Sequence, residues 1–119
     1  MRNEMGTIEN KQDDVVIITI EDELNLMTAE AVKEVFEKNF KLHNKKIIVD
    51  FSQTDFLDST GIGLIIEMTN RLRQAGGNLA IIRMNRDVKN LFGIANLLDI
   101  LTHYENLEDA INYFTDLKK

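Results

Sequence analysis

The stretch DFLDSTGIG, Asp55 to Gly63, gathers two carboxylates, two hydroxyls and two glycines within nine residues. A hydroxyl in such a setting can serve as a nucleophile, a phosphoryl acceptor or a helix cap, and the neighbouring residue types separate these roles. A nucleophile elbow reads G-x-S-x-G, but Leu57 stands two residues before Ser59, and neither His43 nor His103 has an evident route to that serine. The pair Gly61-x-Gly63 lacks the third glycine of a dinucleotide fingerprint, because Ile66 occupies that position, and the lysine of a P-loop is also missing. What remains is a helix start. Asp58 or Ser59 makes a good N-cap. Ser59 and Thr60 then lie on the first turn, beside free backbone N–H groups and between glycines that admit another protein closely. A phosphate there adds about −1.5 to −2 charges, partly compensated by the helix N-terminus and opposed by Asp58.

Composition narrows the remaining chemistry. The 119 residues, 44% hydrophobic, suffice for one core, so a single domain over 1–119 with its core at about 5–116 is expected. There are no cysteines, and the two histidines stand alone, so no thiolate or histidine metal site is expected. Twenty acidic against 14 basic residues give a net charge of −6, which disfavours nucleic acid and anionic lipid surfaces. No run reaches the roughly 18 apolar residues of a membrane span, and MRNEMGTIEN has no signal-peptide core. A soluble cytoplasmic protein is the expectation.

The elements that must position Ser59 follow from periodicity. DVVIITI (14–20) and KKIIVDF (45–51) are β-branched, nearly continuous apolar runs, as buried strands require, and NLAIIRM (78–84) is a third. GTIENKQDD predicts a short edge strand with a polar turn around Asn10 to Asp13. Thr28 is placed to cap a first helix whose Val32, Val35, Phe36 and Leu42 share a face. Ser52 to Asp58 reads as a polar loop with Phe56 and Leu57 tucked inward. A second helix follows from about Thr60 to Gln74, with Ile62, Ile65, Ile66, Thr69 and Leu72 toward the core and Gly76-Gly77 as its stop. RDVKNLFGIAN predicts a short helix on Val88, Leu91, Phe92 and Ala95, DILTHYE a weaker strand, and LEDAINYFTDL a last helix capped by Asn106 with Asp109. Alternation of strands and helices at this spacing defines an α/β domain with a largely parallel sheet.

Open α/β sheets hold switches beyond the carboxyl ends of their strands, where Asp55 to Gly63 falls. A response-regulator receiver is one such switch, with IITIEDE as its acidic strand and Asp50 as the acceptor. Against it, helix one leads directly into KKIIVDF with no intervening strand, and the chain has no proline to follow a late lysine.

The line IIVDFSQTDFLDSTGIGLIIEMTNRLRQAGGNLAIIRMNRDVKNLFGIANLLDIL resembles a STAS domain, and more closely the stand-alone bacterial anti-sigma factor antagonists of the SpoIIAA and RsbV type. A strand ending in aspartate, a D-S-T-G helix start, a G-G pair before the next strand and a late helix with a leucine-rich turn carry the likeness. ELNLMTAEAVKEV and ENLEDAINYF extend it over nearly the whole chain. The resemblance implies one STAS-like domain, a central mixed, mostly parallel sheet flanked by about four helices. It implies no cofactor and no catalysis.

It further implies phosphorylation at Ser59 or Thr60, with Ser59 favoured because the motif reads D-S-T-G. Asn25, Thr28, Asp58, Ser59, Thr60, Gly61 and Gly63 are the implied partner surface. The unmodified form would bind an anti-sigma factor with serine-protein kinase activity and free the sigma factor; phosphorylation would release it, and a PP2C-type phosphatase would reset the cycle. Asn25 departs from the aspartate usual in this family at ELNLMTA. The alternatives are a STAS interaction module of another signalling or lipid-transport assembly, or a receiver-like domain.

Overall fold

Strand β3 (Val15–Ile20) explains the layering, because its side chains are buried on both faces. Val16, Ile18 and Ile20 enter one core layer and Val15 and Ile17 the other, as the two-residue period of a strand requires. The same division recurs on β5 (Lys46–Asp50) and β7 (Asn78–Ile82): Ile47, Val49, Leu79 and Ile81 face one way, Ile48, Ala80 and Ile82 the other. The larger layer is completed by helices α1 (Ala29–Lys41), α2 (Ser59–Gln74) and α3 (Arg86–Ile94), and the smaller by α4 (Leu107–Asp116) through Ala110, Ile111 and Phe114.

The computed structural model describes residues 2–3 and 6–116. The expected limits of the domain at positions 1, 5 and 119, and Leu117 of the last helix, lie outside the described residues. One sheet runs in the order β1 (Arg2–Asn3), β2 (Thr7–Gln12), β3, β5, β7, β8 (Thr102–Tyr104). The first two pairings are antiparallel and the three from β3 to β8 parallel, so the fold is the mixed, mostly parallel α/β sheet with four helices that the sequence predicts. Among the described residues no helix is long and apolar enough to cross a membrane.

Several local expectations are corrected. Strand β2 continues through Gln12 and is flanked by β1, so it is not an edge. The turn lies at Asp13 and Asp14, with φ of 50° and 71°, and Gln12 pairs with Val15 as in a two-residue hairpin. The segment read as a polar loop holds strand β6 (Thr54–Leu57), which pairs in parallel with β4 (Asp22–Leu24) in a separate two-stranded ribbon. Leu24 and Leu57 are opposite each other and buried, which turns Glu23 and Phe56 outward; Phe56 is 47% exposed rather than tucked in.

On α2 the core face is Leu64, Ile65, Met68, Thr69 and Leu72, with Ile62 and Ile66 only partly covered. Leu42 follows the end of α1 and is exposed, and Ala95 is exposed just beyond α3. Asn106 caps α4 as predicted: its Oδ1 accepts the Asp109 N–H at 2.9 Å, and its amide donates to the Asp109 carboxylate.

Candidate functional site

Asp58 closes the small ribbon and opens α2. Its backbone N–H donates to the Leu24 carbonyl at 3.2 Å, its Oδ1 accepts the Gly61 N–H at 3.0 Å, and its Oδ2 accepts the Leu26 N–H at 3.1 Å. These bonds favour the ionised carboxylate. The Gly61 N–H, then those of Leu26, Thr60 and Asp58 itself, hold the Asp58 pKa below the ordinary aspartate range against the opposing effect of partial burial. The cap therefore belongs to Asp58, and α2 begins at Ser59, one residue earlier than expected.

Ser59 and Thr60 are both exposed on the first turn, but their surroundings differ. Thr60 lines a shallow cleft of about 230 Å³ between α1 and α2, together with Ala29, Glu30, Lys33, Gly63, Leu64 and Glu67. Lys33 and Glu67 pair across it at 3.7 Å. Ser59 is not part of that cleft.

The two glycines also divide. A Cβ on Gly61 would fall 2.4 Å from the Leu24 carbonyl oxygen, so its missing side chain is required for α2 to pack against β4 rather than for access by a partner. Gly63 is exposed, and a Cβ there would meet nothing within 4 Å.

Asn25 and Thr28 form the adjoining rim by reciprocal capping. The Thr28 N–H donates to Asn25 Oδ1 at 3.2 Å, and the Asn25 N–H donates to Thr28 Oγ1 at 2.9 Å. Asn25 Oδ1 also accepts the Met27 N–H, and the Thr28 hydroxyl donates to the Glu23 carbonyl. Thr28 thus makes no side-chain cap to α1 in the expected sense; its hydroxyl faces back along the chain, and the first helical N–H, that of Ala29, is accepted by the Asn25 backbone carbonyl at 2.8 Å. The Asn25 amide donates to Glu23 Oε2 at 2.9 Å, a bond that an aspartate in its place cannot make.

Sequence reasoning missed Leu26 and Met27, which this turn holds outward at 72% and 81% exposure. The available signal was the spacing N-x-x-T, a capping pattern that leaves the two intervening residues on the outside of a turn. Asp50, the receiver-type candidate, is buried: Arg83 Nη1 donates to it at 3.1 Å and the Ser52 N–H at 2.8 Å, so both of its carboxylate oxygens already accept hydrogen bonds. His103 is turned to the Leu98 carbonyl, and His43 is exposed after α1.

A strand-borne, aspartate-capped helix start with exposed hydroxyls, on a mixed sheet with this order, defines a class. Residues 8–110 match the model of the STAS domain, and the chain belongs to that family. Among its relatives is the anti-sigma-B factor antagonist of Listeria monocytogenes, 28% identical over 88% of this chain and 91% of that protein. A crystal structure from Thermotoga maritima superimposes with a TM-score of 0.87 at 26% identity, covering 92% of this chain and 94% of the other. The phosphorylated form of the Bacillus cell fate determinant SpoIIAA matches with a TM-score of 0.71 at 19% identity, covering 91% and 98%, a likeness of fold.

Proposed function

We propose that this STAS domain is an anti-sigma factor antagonist that works by partner switching. Unmodified, it binds an anti-sigma factor with serine-protein kinase activity and frees the sigma factor. Phosphorylated, it lets go, and a PP2C-type phosphatase restores it. The domain acts in the cytoplasm as substrate and binding module, without catalysis of its own.

The observation that carries this reading is the exposed hydroxyl of Ser59 on the first turn of α2, held in place by the Asp58 cap. Ser59 is the acceptor rather than Thr60 in this reading, because it follows the Asp58 cap directly in the D-S-T-G start and stands outside the cleft that Thr60 lines. The names of relatives such as the Listeria antagonist support the partner class.

The physics of release is simple. A kinase that reads this hydroxyl holds nucleotide phosphates beside it, so the transferred group faces like charge. At about 4 Å and an effective dielectric near 20, each such contact costs roughly 4 kcal/mol. About 5.5 kcal/mol moves a two-state balance from about 1:99 to 99:1, so one or two contacts suffice. Incubation with the kinase and ATP followed by mass spectrometry tests the site. Modification on Ser59, lost in Ser59→Ala and kept in Thr60→Ala, is expected; modification retained in the double variant would remove the hydroxyls from the account.

A further inference from the structure

Leu26 and Met27 project into solvent from a turn that is not loose. Asp58, which caps α2, accepts the Leu26 N–H at 3.1 Å, and Asn25 Oδ1 accepts the Met27 N–H at 2.9 Å, so the backbone beneath each side chain is fixed by a side-chain acceptor. Two large apolar groups held outward by such a turn gain nothing from water and lose little further freedom on being covered. Charge defines what covers them. The ribbon, the turn and the start of α2, residues 21–32 and 52–60, contain no lysine or arginine and carry Asp22, Glu23, Asp55 and Asp58; Lys33, the next residue along α1, is paired with Glu67. A surface of that sign repels an acidic partner and steers a basic one.

We infer that Leu26 and Met27 are the apolar anchor of the docking surface, entering an apolar pocket rimmed by arginine or lysine side chains on the anti-sigma factor. The inference rests on the partner-switching reading, and it is continuous with the phosphoacceptor because Asp58 holds both the helix start that carries Ser59 and the anchoring turn.

The test titrates each purified kinase-type anti-sigma factor of the source genome into the wild-type domain and into Leu26→Ser, Met27→Ser and the double variant. Each single change weakens binding by at least about tenfold and the double by more. Circular dichroism and the thermal midpoint stay at wild-type values, since both side chains are exposed. Wild-type binding weakens as salt rises from about 0.05 to 0.5 M. If an anti-sigma factor binds and Ser59→Asp weakens it, but the Leu26 and Met27 variants bind as wild type, the anchor is wrong and partner switching stands. Affinity indifferent to salt overturns the basic rim. If none binds the unmodified domain, the partner-switching reading fails and the anchor with it.

Discussion

Asp58 accepts the backbone N–H of Leu26 across 32 positions of chain, while its other carboxylate oxygen caps the helix that carries Ser59. One side chain therefore fixes both the helix start that carries Ser59 and the turn beside it. Because these bonds require the ionised form, the Asp58 pKa is lowered on folding. The linkage has a definite sign: a depressed folded pKa gives stabilisation that is complete above the unfolded value, near 3.9, and is lost as pH falls through the lower folded value. The Gly61 and Leu26 amide resonances are expected to shift together below about pH 4, and Asp58→Ala is expected to abolish that shared titration and lower the thermal midpoint.

Gly61 and Gly63 should respond to the same substitution with opposite sign. Gly61→Ala drives a methyl against the Leu24 carbonyl, and a loss of about 1–3 kcal/mol in urea unfolding is expected. Gly63→Ala meets nothing within 4 Å and gains about 0.5–1 kcal/mol from its helical position.

At position 25, the amide of Asn25 donates to Glu23. Asn25→Asp replaces that bond with two facing carboxylates, so one of them titrates at higher pH than an isolated acid. The pair is partly solvated, and the stability loss stays below about 1 kcal/mol. Carboxyl NMR titrations of Asn25→Asp and of Asn25→Asp with Glu23→Gln check this; the raised titration is expected in the first and absent in the second.

Much of this architecture was legible because long apolar runs leave few alternatives. VVIITI, KIIVD and NLAII are buried on both faces and read as central strands, and the D-S-T-G start of α2 follows from cap chemistry. The ribbon of β4 and β6 was not legible. DEL and TDFL are too short for alternation to register, and their pairing depends on contacts 30 or more positions apart. Asn25 was visible only as a departure from a family pattern, since its value lies in a donor bond to Glu23 that spacing does not reveal. Leu26 and Met27 were hidden for another reason: apolar residues are read as buried, and here a cap turns them outward.

Ser59→Asp supplies one charge and fewer acceptor oxygens than phosphate. It should weaken binding of the anti-sigma factor by at least about tenfold, near 1.4 kcal/mol, yet less than phosphorylation does. Calorimetry with the purified partner measures it, and an unchanged affinity would put this helix start outside the interface.

The most direct measurement is the affinity of one kinase-type anti-sigma factor for the unmodified domain and for the same domain phosphorylated at Ser59. The account predicts tight binding to the first and a loss of at least about a hundredfold for the second, equivalent to about 2.7 kcal/mol, restored when a PP2C-type phosphatase removes the phosphate. Equal affinity for the two forms, with Ser59 fully modified, would contradict it.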